Sequence, residues 1–227
     1  MNRHLRWAVY ISIISLAACA QTPVRYNPAP SPVPPPAPRT IPPPPVAAPE
    51  TITGANSKIV NKSRDNLWRS VSSSLAQSRF AVTSVDYKTG VMQLRYAGDP
   101  RNYIDCGKVK VIPPNGGPSY EFPAANANQQ YQISTQGKIF NVDRRMNLDA
   151  QIMLSLQAVD AARTSARVET RYGVSRDQYV TPTQGGAPFN ASDSVSFMFN
   201  ESATFPNAAT RCTATLQLEN ELMQFFK

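Results

Sequence analysis

The uneven distribution of proline most strongly constrains which part of this chain can fold. Thirteen of its 21 prolines lie between Pro23 and Pro49, among few charged residues. Such a segment cannot bury enough apolar surface to fold, and its prolines favour an extended polyproline II conformation. We therefore expect residues 19–56 to form a disordered tether, which leaves residues 57–227 as one folded domain.

The first 18 residues have the pattern of a signal peptide. Arg3 and Arg6 supply positive charge, and residues 8–18 are uncharged and mostly apolar. That stretch has the length of an export signal, and it is too short to cross a bilayer core of about 30 Å as a helix. The sequence therefore predicts export and removal of residues 1–18.

The signal ends in Leu16-Ala17-Ala18-Cys19, which resembles the lipobox of bacterial lipoproteins. This resemblance implies a diacylglyceryl thioether on Cys19, cleavage before it, and acylation of the new amine. An aspartate after the cysteine retains enterobacterial lipoproteins in the inner membrane, so Ala20 implies the outer membrane. Two or three acyl chains anchor stably, because each buried CH₂ contributes about 0.8 kcal/mol. The alternative is an ordinary secretory signal with a chance cysteine.

The chain carries a basic excess, with 23 lysines and arginines against 15 acidic residues. Loss of Arg3 and Arg6 with the signal lowers the formal net charge from +8 to +6. This excess suits anionic neighbours such as phospholipid headgroups, lipopolysaccharide or wall polymer. The sequence shows no helix-turn-helix, zinc-finger or aromatic single-strand platform, so we expect no nucleic-acid partner.

The domain opens with the pattern of a helix followed by a hairpin. Apolar residues recur at helical spacing and form one stripe, at Leu67, Trp68, Val71 and Leu75. Asn61 or Ser63 can cap this helix. Residues 80–87 and 92–96 have strand composition, and residues 88–90 between them end in a turn-forming glycine. A third strand is expected over residues 104–112, and one more within residues 131–140.

Two later segments, residues 148–158 and 166–174, alternate apolar and polar residues. This period of two is typical of antiparallel strands with one wet face, and residues 160–164 would form the turn between them. A further strand is expected over residues 195–199, and an apolar stripe predicts a helix from Leu218 to Phe226. The fold class is α+β, with an antiparallel β-sheet packed against an N-terminal helix and a short C-terminal helix.

The cysteines agree with export. Lipid would modify Cys19, which leaves Cys106 and Cys212 as a pair in an oxidising compartment. A disulfide between them is the expected arrangement. The alternative is a pair of reactive thiols, although no CxxC spacing and no neighbouring histidine would lower a thiol pKa.

Catalytic chemistry has little support in the sequence. The only histidine, His4, lies inside the signal, which excludes serine–histidine and cysteine–histidine centres and histidine-containing zinc sites from the mature chain. A pair of carboxylates could still hydrolyse a glycoside. The candidate acids are Asp149, Glu169, Asp177 and Asp193. We interpret them as solvated strand or loop residues, and we expect no enzyme activity, metal or cofactor.

Three other features have both a functional and a structural interpretation. Arg144-Arg145 could bind an anion but is expected to be solvated. The glycine pairs at residues 116–117 and 185–186 lack the frame of a phosphate-binding loop and indicate turns. Trp68 lies on the helical stripe, so it is expected in the core and not at a sugar site.

A lipobox, a proline-rich tether and then a helix, a glycine-turned hairpin and antiparallel strands resemble envelope-assembly lipoproteins of the BamC type. The matching residues lie in Leu16 to Cys19, in residues 68–71 (Trp-Arg-Ser-Val), in residues 79–82 (Arg-Phe-Ala-Val) and at Gly90. That family has two helix-grip modules, whereas this chain has room for one. Small lipoproteins of type IV secretion core complexes resemble the same layout.

These features lead to one hypothesis and two alternatives. We expect a non-enzymatic outer-membrane lipoprotein whose domain faces the periplasm and binds protein partners in an envelope assembly, with exposed strand edges as the contact. The first alternative is a lipoprotein of a type IV secretion core complex. The second is a peptidoglycan-binding lipoprotein. The tether would act as a spacer, or as a segment that threads the wall or docks on a partner.

Overall fold

The computed structural model describes residues 56–206 and 210–227. The predicted signal peptide, the lipidation site Cys19 and the tether up to residue 55 lie outside the described residues. Within those residues the chain forms two helices and twelve strands. In chain order they are β1 (Ser57–Val60), α1 (Arg64–Ala76), β2 (Ala81–Asp86), β3 (Val91–Gly98), β4 (Ile104–Asp105), β5 (Lys108–Val111), β6 (Tyr120–Pro123), β7 (Asn128–Thr135), β8 (Lys138–Ala158), β9 (Thr164–Pro182), β10 (Phe189–Met198), β11 (Ser202–Thr204), β12 (Arg211–Ala214) and α2 (Gln217–Met223).

A long antiparallel hairpin of β8 and β9 forms the centre of a seven-stranded sheet. The two strands contain 21 and 19 residues, so each pairs with two different neighbours along its length. β3 and β7 both pair with β8, and β1 and β10 both pair with β9. β2 pairs with β3 and ends the sheet on that side. Two small sheets, β11-β12-β4 and β5-β6, complete the described strands.

One face of the large sheet, called here the inner face, is covered by α1 and α2, and the opposite face is the outer face. Inward side chains of β8 from Met146 to Leu156 and of β9 from Ala166 to Val174 are at most 2% exposed. Each fully buried large aliphatic side chain contributes about 1.5–3 kcal/mol. The structure is therefore mostly antiparallel sheet with one N-terminal and one C-terminal helix, an α+β arrangement as predicted.

The expected strand over residues 104–112 is wrong as a single element. β4 ends at Asp105 and pairs with β12, whereas β5 begins at Lys108 and pairs with β6. Gly107 lies between them with φ +71°, a left-handed conformation that glycine adopts without steric cost. This turn directs the two halves of the segment into different sheets.

The region of residues 131–140 forms a hairpin and not one strand. β7 and the start of β8 pair up to Thr135 and Lys138. The two residues between them, Gln136 and Gly137, both have positive φ, at 53° and 73°. A two-residue loop with this geometry matches the right-handed twist of the flanking strands.

A disulfide joins Cys106 and Cys212, as the sequence predicted. The two cysteines are separated by 106 positions in the chain and are 5% and 0% exposed. The bond links the segment after β4 to β12, next to the pairing of those strands. It therefore fixes the C-terminal part of the chain, including the approach to α2, to the body of the domain.

Candidate functional site

Strand β2, one of the outermost strands of the large sheet, has one unpaired edge among the described residues. It hydrogen-bonds to β3 on one side, and all six of its residues are exposed. An edge strand presents a row of free backbone N–H and C=O groups that a further strand can use. The structure thus offers a backbone template at this side of the sheet.

The same edge exposes apolar side chains. Val82 lies opposite the buried Leu94 and Val85 opposite the buried Met92, so both valines occupy inward positions of the strand. They are nevertheless 46% and 56% exposed. We call β2, together with the adjacent Tyr87, the β2 edge. It combines free backbone groups with side chains that a partner could bury.

Tyr87 is 45% exposed but is held in place by α1. Its hydroxyl donates a hydrogen bond of 2.6 Å to Asp65 Oδ1. The Trp68 ring meets it edge-on at 5.3 Å between centroids, and the Arg64 guanidinium lies 4.8 Å from its centroid. These contacts reduce the entropy that Tyr87 would lose on binding, which makes it a preorganised part of the β2 edge.

The β2 edge has limited protection against strand addition. Natural edge strands are commonly guarded by lysine, proline or a bulge. β2 has a register shift between Val82 and Ser84, and its only charge is Asp86 at the end. Hydrogen bonds from Thr89, and then from the Lys88 backbone, hold the pKa of Asp86 below its usual range. Asp86 thus stays charged at the end of β2, whereas residues 81–85 carry no charged side chain.

The first two candidate acids lie on the outer face, each beside an arginine. Arg95 donates two hydrogen bonds to Asp149, at 2.8 and 2.6 Å. These bonds hold the pKa of Asp149 below its usual range. Glu169 Oε1 lies 2.6 Å from Arg167 Nη2. Both carboxylates are accounted for by ion pairs at the surface of the sheet.

The other two candidate acids lie on opposite faces. Asp177, on the outer face, accepts a 2.6 Å hydrogen bond from the Ser192 hydroxyl. Asp193 points inward and pairs with Arg176, and the two side chains are 12% and 10% exposed. The expectation that Asp193 is a solvated strand or loop residue is therefore wrong. The four acids do not converge on one position.

Arg144 also differs from the expectation. Adjacent residues of a strand point to opposite faces, so Arg145 reaches solvent whereas Arg144 is only 2% exposed. Arg144 Nη2 donates to the Ala124 carbonyl, and its guanidinium lies 5.7 Å from the Phe122 ring centroid. Its Nη1 has no hydrogen-bond partner in the described part of the chain. Burial lowers the pKa of Arg144.

The remaining candidates are structural. Trp68 is 8% exposed on the buried stripe of α1. Gly116 and Gly185 lie in turns with φ of +75° and +83°. Across residues 56–206 and 210–227 there is no group of three or more histidine, cysteine or acidic side chains that could hold a metal ion. No helix of the same residues has the length and apolar character needed to cross a membrane.

Comparison of the chain with protein-family models, with curated proteins and with solved structures gives no match. The assignment of the β2 edge as a candidate binding site therefore rests on geometry alone. Sequence reasoning located the strand and its hairpin, but it did not identify Val82 and Val85 as exposed. The sequence pattern of a strand does not show whether the strand lies at the end of a sheet or in its middle.

Proposed function

We propose that the chain is a non-enzymatic bacterial lipoprotein of the BamC-like kind, held at the outer membrane through Cys19 with its domain facing the periplasm. Its folded domain would bind a protein partner in an envelope assembly along the β2 edge. The lipobox and the proline-rich segment support the anchor and the tether. The single observation that carries the binding role is the free edge of strand β2, on the side away from β3, with its exposed valines.

A partner segment in extended conformation would add to β2 as a further strand. Main-chain hydrogen bonds supply affinity in this mode, and side-chain contacts at alternate positions supply specificity. In a regular strand, residues three positions apart point to opposite sides. The register shift between Val82 and Ser84 instead places Val82 and Val85 on the same side of β2. A partner strand with apolar residues on that side would bury both valines and extend the contact to Tyr87.

The anchor and the tether would raise the strength of this contact. A proline-rich chain extends by about 3.1 Å per residue, so residues 20–56 would span at most roughly 115 Å. Tethering at a membrane that also holds the partner converts the encounter into an effectively intramolecular one. A weak edge-strand contact would then suffice for stable assembly.

Co-purification from the native envelope tests this function. The full chain, Val85→Lys and a matched control, Ile112→Lys, are each cross-linked in cells and recovered, beside Cys19→Ser. Ile112 is 72% exposed and directly follows β5. β5 belongs to the small β5-β6 sheet and does not pair with β2. We expect one multi-subunit complex with the wild type and Ile112→Lys, and loss of that complex with Val85→Lys and Cys19→Ser. Recovery of the same complex with Val85→Lys would reject the β2 edge.

A further inference from the structure

The outer face carries a second surface, at the end of the sheet formed by β7, β8, β9 and β10. Four side chains from these four strands form one row across it, since Gln130 lies opposite Asp143, Asp143 opposite Tyr179, and Tyr179 opposite Asn190. Two parallel rows flank it. They are Gln132–Asn141–Thr181 on one side and Asn128–Arg145–Asp177–Ser192 on the other. We call these three rows the Tyr179 platform.

The Tyr179 platform has one aromatic ring among polar neighbours. Tyr179 is 48% exposed, and every other outward residue of the three rows is polar. An open hollow of about 440 Å³ lies on one side of the ring, where Gln130, Gln132 and Asn141 contribute to its wall. A second hollow of about 280 Å³ lies on the other side. The ring therefore separates two adjoining depressions lined by hydrogen-bonding groups.

Several of these groups are available for a ligand. In the described residues, the Tyr179 hydroxyl and the side-chain amides of Gln130 and Asn190 make no hydrogen bond, whereas Gln132 Nε2 donates to Asn141 Oδ1 at 2.9 Å. An amide carries both donors and an acceptor, so it can pair with a hydroxyl or an acetamido group in either sense. The rigid sheet fixes the spacing of these amides around the ring.

Charge on the platform argues against an anionic ligand. The platform carries two acidic side chains, Asp143 and Asp177, and one basic side chain, Arg145, whose Nε lies 4.0 Å from Asp143 Oδ1. Nucleic acid and phosphorylated lipid would require a positive surface. An extended apolar peptide would need more than one exposed apolar side chain. A neutral, hydroxyl-rich ligand with an apolar ring face fits both the amides and the tyrosine.

We infer that the Tyr179 platform binds a neutral glycan chain, one sugar ring stacking on Tyr179 and its neighbours occupying the two flanking hollows. The proposed envelope location supplies a specific source, the N-acetylated glycan backbone of the cell wall. The inference rests on that location for the identity of the glycan, and it does not depend on the β2 edge. The domain would then hold the wall through one face and a protein through one edge.

Calorimetric titration with chitohexaose, a neutral chain of six N-acetylglucosamine units, tests the inference, with maltohexaose as the non-acetylated control. The full chain is compared with Tyr179→Ala, Tyr179→Phe and a matched control, Tyr120→Ala, whose tyrosine is 41% exposed on β6. We expect saturable binding of chitohexaose, weakened at least tenfold by Tyr179→Ala. Tyr179→Phe keeps the ring and is expected to stay within about threefold of wild type, as is Tyr120→Ala.

Two results would overturn the inference: no saturable binding of chitohexaose, or equal binding by Tyr179→Ala. Equal binding of maltohexaose would overturn the assignment to an N-acetylated glycan. Unfolding by urea serves as the folding check, since an exposed tyrosine on the sheet surface should contribute little to stability. Val85→Lys separates the two proposals. It should bind chitohexaose as wild type does, while Tyr179→Ala should recover the same protein complex as wild type.

Discussion

The Tyr172 hydroxyl donates to the carboxylate of Glu219 and lies 2.9 Å from each of its oxygens. Both residues are 0% exposed, and they join the centre of β9 to α2. The ion pairs of the described residues do not include Glu219. Burial, and then the charge of Glu219, raises the pKa of Tyr172, so the hydroxyl remains protonated and continues to donate.

Removal of this hydroxyl is expected to destabilise the domain. Tyr172→Phe leaves the Glu219 carboxylate buried without a donor, which costs about 1–3 kcal/mol or more for a charged group. Replacement of both partners by apolar residues, as in Tyr172→Phe with Glu219→Leu, should recover much of that loss. Urea unfolding of the two single variants and the double variant measures the coupling. Additive losses in the double variant would contradict a direct interaction.

The two buried arginines of the inner face are expected to respond oppositely to mutation. Arg144→Met removes a buried charge that has no ionic partner at salt-bridge distance in the described residues, so stability should change by less than about 1 kcal/mol or increase. Arg176→Met leaves the Asp193 carboxylate, only 12% exposed, without its ionic partner, which should cost about 3–5 kcal/mol. Thermal and urea unfolding of both variants compare the two effects. Equal losses would contradict this assignment.

Alkaline pH is expected to weaken the fold through Tyr103. Burial, and then the nearby Glu221 carboxylate, raises the pKa of Tyr103 from 10.0 to about 12. Because the folded pKa is the higher one, this stabilisation is complete below pH 10 and is lost as the pH rises through 12. The loss should be about 2–3 kcal/mol. Urea unfolding at pH 9 to 12 should show a smaller decline for Tyr103→Phe. An unchanged decline would exclude Tyr103 as a source.

The disulfide is expected to contribute strongly to stability. In the chain-entropy model, a bond that closes a loop of about 100 residues stabilises by up to about 4.7 kcal/mol. The double variant Cys106→Ala with Cys212→Ala should therefore have a free energy of unfolding about 2–5 kcal/mol lower than that of wild type. It should also unfold at a lower urea concentration. Reductant should lower the stability of wild type and leave the variant unchanged. Equal stability of the two proteins would show that the bond is dispensable.

The regular elements of the large sheet follow from local pattern. The alternation in residues 148–158 and 166–174 predicted the centres of β8 and β9, and the stripe from Leu67 to Leu75 predicted α1. In each case one face is apolar because it meets the core. The length of both central strands was underestimated, since β8 begins at Lys138 and β9 ends at Pro182. The first residues of β8 are only partly buried, so their apolar pattern is weaker.

The remaining features depend on contacts distant in sequence. Arg144 and Asp193 look solvated in the sequence. Only the packing of β6 and β10 against β8 and β9 shows that Arg144 is buried and that the Asp193 side chain is 12% exposed. The buried Glu219 carboxylate is hydrogen-bonded by the Tyr172 hydroxyl, from a residue 47 positions earlier in the chain. The exposure of Val82 and Val85 depends on the place of β2 in the strand order. None of these positions has a local signal.

Site-specific photo-cross-linking from the β2 edge tests the central claim most directly. A photoreactive amino acid replaces Val85 in the full chain in cells, and a second version carries it at Ile112 as the control. We predict one discrete envelope protein cross-linked from position 85, absent from position 112, and abolished when Val82→Lys is added. Cross-links of the same kind from both positions, or none from position 85, would contradict the proposal that this edge binds a protein partner.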